Sequence, residues 1–81
     1  MFSPLGDSYR VLADAYREIG DWENSENMYE RALFKYKKAK NKLGMAVVLT
    51  HWGQMKVYSE DYSSAANLFH RASTTWKKLE K

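Results

Sequence analysis

The chain is 81 residues long, the length of one small domain, and its lack of cysteine excludes disulfides, thiolate metal ligands and cysteine nucleophiles. Aromatic residues make up 15% of the composition, and no apolar run approaches the roughly 18 residues that a membrane-spanning helix needs. The net charge of +3 is uneven, because residues 1–34 hold three basic and seven acidic groups (net −4) and residues 35–81 hold ten basic and three acidic groups (net +7).

The first predicted element is a helix near the N-terminus. Pro4 is the only proline, and apolar residues recur at steps of three and four from Tyr9 to Ile19. The spacing predicts a helix that begins at Pro4 or Asp7 and ends at Ile19. The pair Gly20-Asp21 follows and supplies a turn and a helix cap.

A second helix is predicted from Trp22. The same apolar period continues through Met28, Tyr29 and Leu33 and predicts a helix end near Asn41. Lysines crowd its last turns, where the negative end of the helix dipole favours positive charge.

The second half of the chain predicts two further helices. The run MAVVLTHWGQMKVY is less regular, and its Val47-Val48 pair slightly favours a strand, but its length and context predict a third helix from about Leu43 to Tyr58. A fourth helix follows from Tyr62 to Leu79. The residues of helix three that we expect to be buried are Leu49, Trp52, Gly53, Met55 and Val57.

The chain repeats itself at an offset of 40 residues. DWENSENMYERA begins at Asp21, and DYSSAANLFHRA begins at Asp61. A period of 20–50 residues indicates a solenoid, in which each unit buries its apolar face against its neighbour. The sequence therefore predicts an all-α fold in one domain, residues 1–81, with two tandem antiparallel helix-turn-helix repeats at about 5–41 and 42–80 in a short right-handed α-solenoid.

The residues at fixed positions of the two units resemble the tetratricopeptide repeat family, in its longer-period form of about 40 residues. Unit one has Tyr9, Leu12-Ala13, Tyr16, Gly20-Asp21-Trp22, Ser25, Tyr29 and Ala32. Unit two has Leu49, Trp52-Gly53, Lys56, Glu60-Asp61-Tyr62, Ala65, Phe69 and Ala72, with Lys56 and Glu60 as its clear departures. The proline that closes the family's pattern is missing from both units.

The resemblance implies a non-catalytic scaffold or adaptor module that binds another protein or peptide. Ligands in this family lie along a concave surface formed by the first helix of each unit. Arg10 and Arg17 would pair acidic groups of a peptide or helix there, and Tyr58 would give apolar contact. The chaperone-clamp form is not expected, because Asp14 would repel the terminal carboxylate which that form binds. Carried over to this sequence, the groove would be lined by Asp7, Arg10, Asp14, Arg17, Thr50, His51, Gln54 and Tyr58.

Signs of catalysis or metal binding are weak in the sequence. His51 and His70 stand on different predicted helices without a helical metal-binding spacing. Glu26 and Glu30 share a helix face and are interpreted as a solvated acidic face. With no serine-nucleophile elbow and no phosphate loop, we predict no catalytic residue, no metal site and no cofactor.

A basic segment, FKYKKAKNK, indicates an alternative function, which is nucleic-acid binding. Its lysines, with Tyr36 between them, could form a surface that binds nucleic acid. Lysines also accumulate at helix C-termini for electrostatic reasons alone, and Tyr36 falls on the apolar stripe, so the interaction module is preferred. The lysines of this alternative are Lys35, Lys37, Lys38, Lys40 and Lys42.

Aromatic stripes recur in helices two and four and are interpreted as repeated core, not as a membrane-surface helix. They consist of Trp22, Tyr29 and Tyr36 in helix two and Tyr62, Phe69 and Trp76 in helix four. Helix four carries more apolar surface than one preceding helix pair covers, and the two halves have opposite charge. Self-association or further repeats are therefore expected. The N-terminal MFSPLGDSYR lacks the order of a signal peptide, so a cytoplasmic location is expected, without a membrane partner.

Overall fold

The structure is a computed structural model that describes residues 3–80, and within that range it is built from α-helices without a strand. Consecutive helices pack side by side, and α1 also contacts α3. The predicted all-α fold of two helix pairs is confirmed. The helices are α1 (Pro4–Glu18), α2 (Trp22–Lys38), α3 (Lys42–Tyr58) and α4 (Tyr62–Leu79).

The three connections between helices have the same geometry. Each places one residue in the left-handed region, with φ of 79° at Gly20, 55° at Lys40 and 66° at Glu60. In each, the next backbone N–H donates to a carbonyl five residues earlier, such as Asp21 to Tyr16 at 2.9 Å. Helices α2, α3 and α4 therefore begin 20 residues apart, and two of these steps make up the sequence period of 40.

An Asp or Asn follows each left-handed residue and caps the next helix. Asp21 accepts a hydrogen bond from the Asn24 amide at 3.2 Å, and Asn41 accepts one from the Gly44 amide at 2.9 Å. The predicted end of helix two near Asn41 is wrong by three residues, because α2 ends at Lys38 and Asn41 caps α3 instead.

Asp61 completes this set of caps. It accepts a hydrogen bond from the Ser64 amide at 3.2 Å. The hydrogen bonds from Ser64 lower the pKa of the Asp61 carboxyl, with Lys56 adding a smaller contribution. The charged form of Asp61 is therefore the form that caps α4.

The core cluster draws its residues from all four helices. Tyr29 and Trp52 stack across the junction of the two repeats, with ring centroids 6.4 Å apart. Ala32 and Ala72 are buried, as their equivalent positions predict. The other members of the core cluster are Ala13, Leu33, Tyr36, Val48, Leu49, Met55 and Leu68.

Gly44 of α3 lies directly against the Tyr36 ring of α2. A Cβ atom at Gly44 would overlap the ring of Tyr36, and a Cβ at Gly6 would lie 2.7 Å from the same ring. Both glycines are buried. Tyr36 is thus held between α1 and α3, which explains why this aromatic belongs to the core.

The prediction of a repeated aromatic core is wrong in its α4 half. Tyr29 and Tyr36 are buried, but Trp22 is exposed at the start of α2, and Tyr62, Phe69 and Trp76 are exposed on α4. The predicted burial of Val57 on α3 is wrong as well, although Leu49, Trp52, Gly53 and Met55 are buried. The Phe69 ring lies against Gly53 of α3 on one side and remains 36% exposed.

Candidate functional site

The eight residues predicted for the groove lie on two neighbouring helices. Four belong to α1 and four to α3, and these helices contact each other. Side chains of α1 reach side chains of α3 at Asp14, His51, Arg17 and Gln54. We name this common face, which carries all eight predicted residues, the α1/α3 surface.

Asp14 is the centre of the α1/α3 surface. The His51 Nδ1 atom lies 3.0 Å from its Oδ1, and the Tyr29 hydroxyl donates a hydrogen bond to the same oxygen. The guanidinium groups of Arg10 and Arg17 lie 3.8 Å and 3.9 Å from the carboxylate. One acidic side chain thus organises groups from three helices.

These contacts change the pKa values of Asp14 and Tyr29. Burial acts to raise the pKa of the Asp14 carboxyl, but the hydrogen bonds with His51 and Tyr29 outweigh it, and the pKa is lowered. Burial and the hydrogen bond to Asp14 raise the pKa of the Tyr29 hydroxyl. Asp14 therefore stays ionised and Tyr29 stays protonated over the physiological range.

Arg17 links the two helices next to Asp14. It donates a hydrogen bond to the Gln54 side chain at 3.3 Å, and its guanidinium carbon lies 5.8 Å from the ring centroid of Tyr58. The Arg17 Nε atom is buried and has no hydrogen-bond partner within residues 3–80. Tyr58 is 62% exposed, so its ring covers Arg17 on one side and faces solvent on the other.

A second cluster occupies the other end of the α1/α3 surface. The Tyr36 hydroxyl donates to Asp7, and the Arg10 Nε atom donates to the Tyr36 oxygen at 3.4 Å. Burial and the bond to Asp7 raise the pKa of Tyr36. Burial acts to lower the pKa of Arg10, but the contacts with Tyr36, Asp14 and Asp7 outweigh it and raise that pKa. Arg10 is thus fixed between two carboxylates.

Thr50 differs from the other predicted groove residues. Its hydroxyl donates to the Ala46 carbonyl of the same helix at 2.9 Å, so it is engaged within α3. Asp7, Arg10, Asp14, Arg17, His51 and Gln54 all take part in contacts between helices, and Tyr58 contacts Arg17.

An open depression adjoins Arg17 and Tyr58 at one end of this surface. It has a volume of about 520 Å³, and its remaining lining comes from Glu18, Gly20 and the exposed apolar side chains of Ile19 and Trp22. Sequence analysis did not assign Ile19 or Trp22 to the site, because their apolar spacing indicates core. The depression adds apolar contact area to a polar surface.

Two tyrosines of the site were also missed as site residues. Sequence analysis assigned Tyr29 and Tyr36 to the core, and both are buried, yet each hydroxyl holds an α1 carboxylate in place. The residue type is the signal in the sequence that could have identified them. A buried tyrosine hydroxyl needs a hydrogen-bond partner, whereas a buried phenylalanine needs none. The equivalent positions in the second repeat are Phe69 and Trp76, which lack that hydroxyl.

The basic segment lies at the end of α2 and the start of α3, and the hydroxyl of its Tyr36 bonds to Asp7 and Arg10. Tyr36 is 1% exposed and therefore cannot stack on a base, as the nucleic-acid alternative requires. Phe34 is the exposed aromatic of this segment, with the ammonium groups of Lys35 and Lys38 at 5.9 Å and 5.5 Å from its ring centroid. Lys37, Lys38, Lys40 and Lys42 are exposed, and Lys35 is half-buried.

Glu26 corrects the prediction of a solvated acidic face. Its carboxylate lies 3.0 Å from the Lys56 ammonium and accepts a hydrogen bond from Trp52 Nε1 at 3.1 Å. Glu26 therefore joins α2 to α3, whereas Glu30 is exposed as predicted. Between Ser3 and Glu80, no three His, Asp or Glu side chains stand close enough to hold a metal ion.

The fold and the site define a class of protein that is built from helix pairs in tandem, with a polar surface shared by the first helix of each pair. A family model described as "Tetratricopeptide repeat" matches residues 8–42, which run from α1 through α2 to the first residue of α3. Residues 8–42 are therefore similar to a tetratricopeptide repeat, and α3 and α4 form a second helix pair after it. No curated protein and no solved structure gives a match. No helix in the described range is long and apolar enough to cross a membrane.

Proposed function

We propose that this chain is a non-catalytic adaptor module that binds a peptide or helix of a partner protein on the α1/α3 surface. The observation that carries the proposal is the fixed set of polar groups around Asp14, which joins α1 to α3 before any partner arrives. Preorganised side chains reduce the entropy lost on binding. The family of the first repeat supports protein binding as the general activity.

The electrostatics of the surface favour a partner with acidic groups next to an apolar side chain. Asp14 already contacts two arginines, a histidine and a tyrosine, so its charge is compensated within the site. Arg10 and Arg17 keep donors that these contacts leave unused. An apolar partner side chain would fit the depression beside Tyr58, and a neighbouring carboxylate would reach the guanidinium groups.

The test begins with selection of binders from a displayed library of random peptides. Arg10 is half-buried and Tyr58 is exposed. Arg10→Gln and Tyr58→Ala are each expected to weaken the binding of the selected peptides by about tenfold or more. Arg31→Gln is the matched control, since Arg31 is an exposed arginine on α2 outside the surface. Calorimetric titration gives the Kd values. Equal losses in the control, or unchanged binding in both site variants, would contradict the proposal.

The same experiment separates protein binding from the nucleic-acid alternative. Neutralising all five lysines of the basic segment, Lys35, Lys37, Lys38, Lys40 and Lys42, is expected to leave peptide binding intact. RNA binding with a steep dependence on salt, lost in the five-lysine variant, would replace the proposal. Arg10→Gln would then have little effect on RNA affinity.

A further inference from the structure

The exposed faces of α1 and α4 can be compared with the contact between α2 and α3 inside the molecule. An offset of 40 residues aligns α1 with α3 and α2 with α4. The contact between α2 and α3 therefore shows what the equivalent face of α4 would accept, and what the equivalent face of α1 would contact. Burial at equivalent positions shows which of these faces lack a partner.

The open face of α4 carries an uncovered aromatic stripe. Tyr29 and Tyr36 on α2 are 0% and 1% exposed, because α3 covers them, whereas their equivalents Phe69 and Trp76 are 36% and 39% exposed. Ala66 and Ser73, which follow the same spacing of three and four along α4, are exposed as well. We call this stripe the α4 edge: Ala66, Phe69, Ser73 and Trp76.

The open face of α1 carries a second uncovered stripe. Its residues follow one another at steps of three and four along one face of the helix. Leu5, Leu12 and Ile19 are 58%, 44% and 76% exposed. Met45 and Trp52, the α3 equivalents of Leu5 and Leu12, belong to the core or pack against it. We call this stripe the α1 edge: Leu5, Ser8, Leu12, Ala15 and Ile19.

The polar groups of the interior contact are missing from both edges. Glu26 of α2 bonds to Trp52 and Lys56 of α3, but the residue equivalent to Glu26 is Ala66 and the residue equivalent to Lys56 is Tyr16. The two edges are thus more apolar than the contact between α2 and α3. Within residues 3–80, neither edge has the polar face that keeps helical-repeat units from associating.

We propose that copies of this chain associate head to tail, with the α1 edge of one copy packed on the α4 edge of the next. Leu12 would lie on Phe69 of the next copy, as Trp52 lies on Tyr29 within the chain. Helix α1 (Pro4–Glu18) has a net charge of −1, from three acidic and two basic groups, and α4 (Tyr62–Leu79) has a net charge of +3, from three basic groups. This difference favours pairing of unlike edges over pairing of like edges. The proposal is independent of peptide binding on the α1/α3 surface.

Head-to-tail contact is heterologous, so in a pair of copies each copy still has one free edge. Further copies can bind there, and longer chains form as the concentration rises. Pro4 occupies the position equivalent to Gly44, so α1 does not reproduce the close approach of that glycine to an aromatic ring. Association is therefore expected to be reversible and to depend on concentration. Added salt is expected to weaken it, because the attraction between the ends is screened.

Sedimentation velocity of the 81-residue chain over a range of concentrations tests the proposal. Leu12→Glu places a charge on the α1 edge, and Ser73→Glu places one on the α4 edge; both are expected to abolish association. Asn67→Glu is the matched control on the exposed side of α4 away from the edge, and it is expected to associate like the unchanged chain. Circular dichroism checks that each variant is folded, and Leu5→Glu replaces Leu12→Glu where that variant does not fold.

A mixture of the two edge variants gives the sharper test. The Leu12→Glu chain keeps an intact α4 edge and the Ser73→Glu chain keeps an intact α1 edge, so the mixture is expected to form a one-to-one dimer that does not grow. Association of the Leu12→Glu chain alone would show pairing of like edges and overturn the proposal. A wild-type chain that stays monomeric at every concentration would overturn it as well.

Discussion

At the scale of single residues, the connections between helices depend on three left-handed residues. Gly20 adopts this backbone without strain, but Lys40 and Glu60 carry side chains at φ of 55° and 66°. Sequence analysis located a turn at Gly20 because glycine is the usual residue there. It gave no such signal at Lys40, and the end of α2 was consequently misplaced.

The first prediction concerns this strain. Lys40→Gly and Glu60→Gly are each expected to raise the free energy of unfolding by about 1 kcal/mol, because glycine adopts positive φ without the Cβ clash. Gly20→Ala is expected to lower it by a similar amount. Urea unfolding followed by circular dichroism measures these changes. Lys37→Gly, within the last turns of α2, is the control and should destabilise; stabilisation there too would contradict the argument.

The second prediction concerns Asp14 and pH. Its folded-state pKa lies below the ordinary 3.8, so the carboxylate stabilises the native state above that pH, and this stabilisation is lost as pH falls through the folded-state pKa. Asp14→Asn is therefore expected to lower the urea midpoint at neutral pH, with the difference from wild type shrinking below pH 3.8. A difference that stays constant on acidification would contradict the assignment. Glu30→Gln, at an exposed carboxylate, controls for charge removal.

At the scale of helices, periodicity predicted all four elements and most of their inner faces. Helix starts at Trp22 and Tyr62 were predicted correctly, because an Asp precedes each and caps the free amides. The errors concentrate at Val57, Phe69 and Trp76, which have core-like spacing but are 37%, 36% and 39% exposed. A repeat pattern shows which face a helix would bury, but not whether a neighbour is present to cover it.

The third prediction concerns the crossing of the paired helices. Ala32 and Ala72 are buried at equivalent places, so Ala32→Leu or Ala72→Leu is expected to overpack the core and cost about 1–3 kcal/mol. Thermal unfolding measures the loss. Asn27→Leu, at an exposed position of α2, is the control and should change stability by much less. Unchanged unfolding in both alanine variants would show that the repeat alignment is wrong.

The candidate site was predictable in position but not in its internal contacts. The resemblance to the repeat family placed Asp14 and Arg17 on the first helix of unit one and His51 and Gln54 on the first helix of unit two, and the structure brings these side chains into contact. Their role in binding a partner stays a prediction. Sequence patterns could not show that Tyr29, from α2, supplies a hydroxyl to Asp14. Such contacts depend on how helices cross, which one sequence does not specify.

At the scale of the whole molecule, the two repeats depend on one junction. Trp52 is the largest side chain there, where it stacks on Tyr29 and donates to Glu26. Proteins are stable by only about 0.05–0.15 kcal/mol per residue, so a short chain has little stability in reserve. The two repeats are therefore expected to unfold together, in a single transition.

The last prediction uses the repeat to compare a covered position with its uncovered equivalent. Trp52→Ala removes a side chain that is 8% exposed at the junction, and it is expected to cost about 3–5 kcal/mol, much of the stability of the chain. Leu12→Ala changes the equivalent position on the open face of α1, where the side chain is 44% exposed. It is expected to cost less than about 1 kcal/mol in dilute solution. Urea unfolding at low concentration measures both losses. Similar losses at the two positions would mean that Leu12 is covered in solution even when the chain is dilute, and the assignment of α1 as an open edge would then be wrong.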